Sequence, residues 1–371
     1  MALFGLFRPP DVVKLEASRD AGGLAKVAQS ARDWVMRRDA LYALQRLEAA
    51  ELPALLQQVL RRDEYWKNRE IAADLLAALG DEGAIEPMIA ATRDDFTDVR
   101  WMAVRALDRL VARVQPGLPA PNVVRALVRS LEDSAWWVRQ SAAQALERVA
   151  IPEHYDGLEV ALKPLHRTLQ DEVRAVRQAA LNVLIRLNAP PTIESLVLAL
   201  TDVAWSVRLS SAEALEALGW EPSREQEIDY WIARGEPGRA VPRGLEAVPA
   251  LVRMLDDQYP PLVADVVDAL ARLGNTAVPA LLEQGLHHRD WWAREAAARV
   301  LARVRAPQSV IPLIRALSDR SYSVRETCTR ALAALGDPRA LPYLQALASH
   351  DPHRLVRAAA SEALRSLPAP R

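Results

Sequence analysis

SAWWVRQSAAQALE, residues 134–147, is the stretch on which the fold turns. Two adjacent tryptophans, an arginine and a run of small residues would suit the opening of an active-site helix. Yet RDWWAREAAARVL at 289–301 says nearly the same thing again. Aligned on Arg139 and Leu146, the chain repeats the Arg-to-Leu step of seven at Arg37/Leu44, Arg69/Leu76, Arg100/Leu107, Arg177/Leu184 and Arg208/Leu215. It returns at Arg294/Leu301, Arg325/Leu332 and Arg357/Leu364, with Val263/Leu270 as the copy lacking the arginine. Most anchors are 31 or 32 residues apart, the length of one helix–turn–helix unit of a solenoid. The phrase is a unit of construction.

Each copy reads as a helical hairpin. A first helix carries an apolar stripe and often a proline near its start, as in LPALLQQVL, AVPALVRML and VIPLIRAL. The first turn tolerates proline because its amide has no intrahelical acceptor. A short polar turn follows, and the aromatic–x–Val–Arg phrase opens the second helix. Gly80, Gly219, Gly274 and Gly336 close it where a left-handed cap is wanted. Val138, Ala142 and Leu146, with equivalents in most copies, make an inner stripe at helical spacing. Cys328 occupies the small middle slot and reads as a packed hydrophobe. An aspartate stands six residues before the anchor at Asp63, Asp94, Asp133, Asp171, Asp202, Asp257, Asp319 and Asp351, and four before as Asp33 and Asp290. It is expected to cap the second helix and face an arginine of the same or adjacent copy. A set repeated along the whole chain argues for a register-keeping ladder, not for catalysis.

The phrase Asp–x–x–x–x–Val–Arg–x–x–Ala–Ala–x–Ala–Leu, matched in DSAWWVRQSAAQAL and DVAWSVRLSSAEAL, resembles the HEAT repeat. The resemblance is to the short bacterial type also found in phycobilisome-lyase-like proteins, and it covers about residues 20 to 367. It implies an all-α, right-handed α-solenoid (superhelix) of about ten helix hairpins, with the second helices on the concave wall. It is specific for fold and weak for function, since the family serves mostly for protein–protein contact. We expect residues 1–371 to form one solenoid, with 1–19 as an N-terminal capping segment and 219–247 as an insertion bearing an extra helix.

Composition removes several classes of function. Lys and Arg total 47 against 48 Asp and Glu, a net charge of −1. That is far from the excess of a general nucleic-acid binder. Cys328 is the only cysteine, so no intrachain disulfide forms, and a reducing cytoplasm is the expected location. The start, MALFGLFRPP, lacks a basic leader and a cleavage site and does not read as a secretory signal. Phe4, Leu6 and Phe7 are expected to pack over the first helices. No stretch approaches the roughly 20 apolar residues of a membrane span.

Candidate binding residues come from one slot. Trp34, Trp66, Trp136, Trp205, Trp291 and Tyr322 stand three before the anchor, and Trp101 one after it. This slot shares a helix face with mostly polar positions and so lies outside the buried stripe. The aromatics either cover seams between copies or serve as partner anchors, for tryptophan, tyrosine and arginine dominate interface hot spots. In the insertion, Tyr230 and Trp231 supply an apolar edge that either plugs a seam or contacts a partner. Val263 breaks the ladder just beyond it, which marks the expected hinge.

Enzymes are set aside at this level. The six histidines show no recurring His–Glu pair, and no phosphate loop, nucleophile elbow or Cys–His arrangement occurs. We expect no catalytic residues, no metal and no cofactor. The expected role is a non-catalytic scaffold or adaptor for another protein, with nucleic acid not expected. The alternatives are a bilin-lyase-like chromophore-handling protein and, further off, a HEAT-like DNA glycosylase, which would want a basic groove.

Overall fold

The computed structural model describes residues 11–80, 82–114, 121–149, 155–188 and 190–367. The expected packing of Phe4, Leu6 and Phe7 lies outside these residues. Among the described residues every regular element is a helix, and the chain is an all-α solenoid of paired helices. It divides into two compact units, residues 1–195 and 196–371.

In the first unit, Val12–Ala17 precedes hairpins whose second helices are Trp34–Arg46, Trp66–Leu79, Thr97–Val114, Trp136–Val149 and Arg174–Leu187. In the second unit the corresponding helices are Trp205–Ala217, Pro260–Leu273, Trp291–Val304, Tyr322–Leu335 and Arg354–Ser366. Between the first two of these lie a helix at Glu227–Ala233 and a 3-10 segment at Pro237–Ala247. The inner stripe is fully buried: Val138, Ala142 and Leu146 are each 0% exposed, as are Val324, Cys328 and Leu332. Removing such stripes from water is the main force joining one hairpin to the next. Burial pushes the Cys328 thiol well above its ordinary value, which leaves it protonated and unreactive at neutral pH.

The aspartate does a different job from the expected cap. It sits ahead of the helix and closes an Asx turn, as where Asp133 Oδ1 accepts from the Ala135 N–H at 2.9 Å. The residues in the cap position, Tyr65 and Ala204 among them, make no side-chain cap bond. Asp33, in a shorter turn, does cap its helix, accepting from Val35 N–H at 2.9 Å. The geometry differs because the aspartate is also claimed by the arginine of the preceding copy. Arg37 donates through Nε and Nη2 to both oxygens of Asp63, each at 2.7 Å. The same fork joins Arg69 to Asp94, Arg100 to Asp133, Arg139 to Asp171, Arg294 to Asp319 and Arg325 to Asp351. Meanwhile Nη1 of each arginine donates to the carbonyls of its own turn, as Arg69 does to Asp63 O at 2.8 Å. Each rung therefore ties two consecutive turns with bidentate, charge-assisted bonds.

The rungs predict an acid limit to stability. Burial alone would raise Asp63, Asp133 and Asp319, but the facing arginine and the turn amide outweigh it and hold all three below the usual carboxylate range. At Asp351 the Arg325 fork is the largest influence and acts in the same direction. A depressed folded-state pKa means stabilisation that is complete above the unfolded value, near pH 4, and lost as pH falls through the folded values. The melting temperature is therefore expected to be flat between about pH 7 and 5 and to drop steeply below about pH 4. A melt that weakens evenly from neutral pH would exclude the ladder as the cause.

One rung is missing. Val263 replaces the arginine, and the turn of the next copy carries His288 in place of the aspartate. His288 Nδ1 takes over the turn bond, accepting from Asp290 N–H at 3.2 Å. The first helix of that copy is also irregular, a short Val278–Ala280 followed by a π turn at Leu281–Gly285. Gly285 lets it approach the next helix, since a Cβ there would stand 2.7 Å from the Ala297 Cβ. Gly285→Ala is expected to destabilise by about 1–3 kcal/mol through overpacking, read by chemical denaturation. An unchanged midpoint would mean that the π turn relaxes freely.

Candidate interaction surface

The aromatic slot is the first residue of the second helix in most copies: Trp34, Trp66, Trp136, Trp205, Trp291 and Tyr322 each open one. The side chain leans back over the turn, because helical side chains point toward the helix N-terminus. What it meets is set by the residue four before the anchor in the next copy.

Four of the rings meet another ring. Trp34 stacks on Tyr65 at 4.4 Å between centroids, Trp66 on Phe96 at 5.9 Å, Trp205 on Tyr259 at 4.1 Å and Tyr322 on His353 at 3.8 Å. Offset stacking of this kind adds about 0.5–1.5 kcal/mol beyond burial, so these residues knit neighbouring copies together. The other two have no such ring ahead of them. Trp136 faces a turn with Val173 in that position, and Trp291 one with Ser321. Each instead packs edge-on against the tryptophan beside it, Trp137 at 5.8 Å and Trp292 at 6.0 Å. All four of these indoles stay exposed, at 42, 40, 46 and 38% for Trp136, Trp137, Trp291 and Trp292. Trp137 and Trp292 were not singled out by sequence reasoning. The signal was present as the doubled WW together with a residue without a ring four before the next anchor, Val173 or Ser321.

Trp101 is held differently. Its Nε1 donates to Ser141 Oγ at 3.1 Å, and the Arg105 guanidinium lies 4.7 Å from the ring centroid. Tyr230 and Trp231 stand on the helix of the insertion. Tyr230 donates to Glu216 Oε1 at 2.5 Å, and burial together with that carboxylate pushes its hydroxyl up to about 12. Trp231 packs against the core of the second unit under the Arg239 guanidinium.

Along the outer face of the second helices, charge is compensated locally. A hollow of about 470 Å³ in the first unit has Arg38, Lys67, Glu70 and Asp74 among its walls, and one of about 550 Å³ in the second has Glu295, Arg299, Glu326 and Arg330. Lys67 pairs with Glu70, Arg299 with Glu295 and Arg330 with Glu326. Such a face offers hydrogen bonds without a net field. One mixed cluster stands apart at the missing rung, where Asp256, His288 and Asp290 place a ligand atom each within 4.8 Å of one another. It has the donor set of a weak divalent-cation site, but Asp290 already accepts from Arg289 Nε at 3.0 Å. Asp256 is too distant in sequence for this grouping to have been read from spacing.

Comparison with known proteins gives the same architecture and one correction. Residues 52–147, 85–163, 131–216 and 278–365 match HEAT repeats. The bilin biosynthesis protein RpcF of Synechococcus sp. (strain WH8020) is 36% identical over 94 residues, covering 25% of this chain and 44% of that protein. The chain thus matches less than half the length of this relative. Among solved structures, yeast importin-β (Kap95p) is 13% identical over 96% of this chain and 56% of its own, with a TM-score of 0.40. Human deoxyhypusine hydroxylase in complex with glycerol is 25% identical over 87% of this chain and 98% of its own, with a TM-score of 0.30. The sequence-based expectation that the chain is not an enzyme does not stand, because the curated relative that carries these repeats is a biosynthesis protein. Absence of a familiar catalytic motif was too weak a ground for it. Among the described residues, no helix is long and apolar enough to cross a membrane.

Proposed function

The chain belongs to the HEAT-repeat family, matched over well more than half of its length, and from that premise we propose that it works by gripping a protein partner at the starts of its second helices. The supporting observation is the contrast among the tryptophans of the row: Trp136–Trp137 and Trp291–Trp292 are exposed and stack on no ring of the next copy, whereas Trp34, Trp66 and Trp205 do. Paired exposed tryptophans with compensated charge around them fit the hot-spot core of an interface, where apolar anchors bind and polar neighbours select. Trp34, Trp66, Trp205 and Tyr322 belong to the scaffold that holds these anchors in place. Cys328, buried and without a disulfide partner, suits a reducing compartment such as the cytoplasm.

A second reading rests on the similarity to a bilin biosynthesis protein. In it, the same exposed indoles hold a planar tetrapyrrole while a partner protein is docked. One experiment addresses both. Purified protein is used to capture partners from source-organism lysate, alongside the Trp136→Ala/Trp137→Ala and Trp291→Ala/Trp292→Ala variants, and absorbance is recorded on adding bilin. Capture of a protein by wild type only supports the first reading. A red-shifted bilin spectrum lost in either variant supports the second. Undiminished capture and spectra in both variants would remove the tryptophan pairs from the function.

A further inference from the structure

Where the ladder breaks, a different set of donors has gathered. The anchor of copy seven is Val263, 8% exposed, which has no polar group to offer the turn that follows. In that turn His288 stands six residues before Arg294, the slot that holds Asp257 in copy seven and Asp319 in copy nine. Copy seven contributes Asp256, whose Oδ2 lies 3.7 Å from His288 Nε2. Asp290, just ahead of the next helix, places Oδ2 3.9 Å from His288 Nδ1. One ligand atom from each of the three falls within 4.8 Å of the others. Two carboxylates from different copies thus face one imidazole.

The Asp256 carboxylate is poorly satisfied. Its Oδ1 is buried and has no hydrogen-bond partner among the described residues. Burial holds the carboxyl above its ordinary value against the pull of His288, and the Asp290 carboxylate adds to the rise. Buried charges are ordinarily paired or coordinate a metal, and the arginine that pairs with the turn at other seams is replaced here by Val263. The bonds already made in the cluster are weak ones. The turn bond onto His288 Nδ1 is 3.2 Å long, against 2.7 to 2.9 Å where a rung aspartate closes the turn. Arg289 reaches only Oδ2 of Asp290, from a side chain 85% exposed, and a surface pair of that kind contributes little.

We infer that Asp256, His288 and Asp290 hold a divalent transition-metal ion of the zinc class, which clamps copy seven to copy eight in place of the missing Arg–Asp rung. One imidazole with two carboxylates suits Zn²⁺ and its neighbours in the series, whereas Ca²⁺ and Mg²⁺ prefer oxygen ligands alone. Coordination through Nε2 needs the ring proton on Nδ1, so the long turn bond is exchanged for the metal bond. The side chains of His288, Asp256 and Asp290 are 33, 30 and 26% exposed, which leaves the remaining coordination positions to water. The ion stiffens the seam that the sequence marks as a hinge. The inference is independent of the tryptophan pairs.

The test is calorimetric titration of the full, chelator-treated chain with ZnCl₂, with thermal melts in parallel. Wild type is expected to bind a single Zn²⁺ saturably and to gain about 2 °C or more in melting temperature in excess zinc. His288→Ala and Asp256→Asn are each expected to weaken binding about tenfold or more. His287→Ala, an exposed neighbour, serves as the control and is expected to bind as wild type does. Val263→Arg combined with His288→Asp rebuilds the rung of the other copies and is expected to remove the response to zinc. Circular dichroism verifies that each variant keeps its helices. Absence of saturable binding, undiminished binding by His288→Ala, equal loss in His287→Ala, or a zinc response kept by the rebuilt rung would overturn the inference. Zinc binding that leaves the melt unchanged would show an adventitious ion only and would overturn it too.

Discussion

Arg208→Ala is expected to lower the unfolding free energy by about 3–5 kcal/mol, the largest loss from any single anchor. Arg208 is 1% exposed, and its partner Asp257 has a side chain 2% exposed. The other rung arginines keep 11 to 16% of their side chains in solvent. The rung is also thinner than the rest, a single bond from Nη2 to Asp257 Oδ2 at 2.5 Å, with Nε buried and unpartnered. Trp205 stacked on Tyr259 brackets it, each ring lying close in sequence to one of the two charges. Removing the arginine strands a buried carboxylate, and the desolvation that the pair shared falls on one charge. Denaturant unfolding measures the loss, with Arg37→Ala as the milder comparison. Arg208→Met combined with Asp257→Leu is expected to recover most of it, because an apolar pair of similar volume needs no compensation. Failure of that recovery would mean that the rung supplies stability directly, and the burial argument would be wrong.

The second large effect concerns binding. Trp136→Ala/Trp137→Ala and Trp291→Ala/Trp292→Ala are each expected to weaken partner affinity by about 30-fold or more, the scale of a 2 kcal/mol hot spot. Melting temperatures should change little, since these indoles sit at the surface and stack on no ring of a neighbouring copy, and the one bond that reaches another copy, from Trp292 Nε1 to Asp256 O, is long at 3.5 Å. Trp66→Ala and Trp205→Ala should behave in the opposite sense, lowering the melting temperature by loosening a stack between copies. Calorimetric titration of the captured partner, paired with thermal melts, separates the two groups. Equal loss of stability in all four variants would place the whole row in the scaffold. Equal loss of affinity would return the site to the row as a whole.

These predictions mark how far the sequence could be read. The repeat, the helical hairpins and the buried Val–Ala–Leu stripe were legible because each depends on local periodicity, and periodicity survives in one dimension. The Arg–Asp pairing was legible as a pattern, though its direction was not. That the aspartate closes a turn and receives the previous copy's arginine depends on how two turns stack, which spacing does not encode. The sorting of the tryptophans was half legible, since a residue four before the next anchor decides whether a ring is covered. Its meaning emerged only once the two positions were seen to touch.

The sequence by itself determined that this protein is a HEAT-type solenoid, because a pattern repeated ten times over-specifies its unit and each unit buries its apolar faces on its neighbours. The tertiary structure alone decided which of the repeated residues are free. Arg208 and Asp257 meet across an insertion that separates them by 49 positions, and Asp256, His288 and Asp290 gather where a rung is missing. Repetition makes chemically identical residues equivalent in sequence. Only what packs against each one separates a structural pair from an open site.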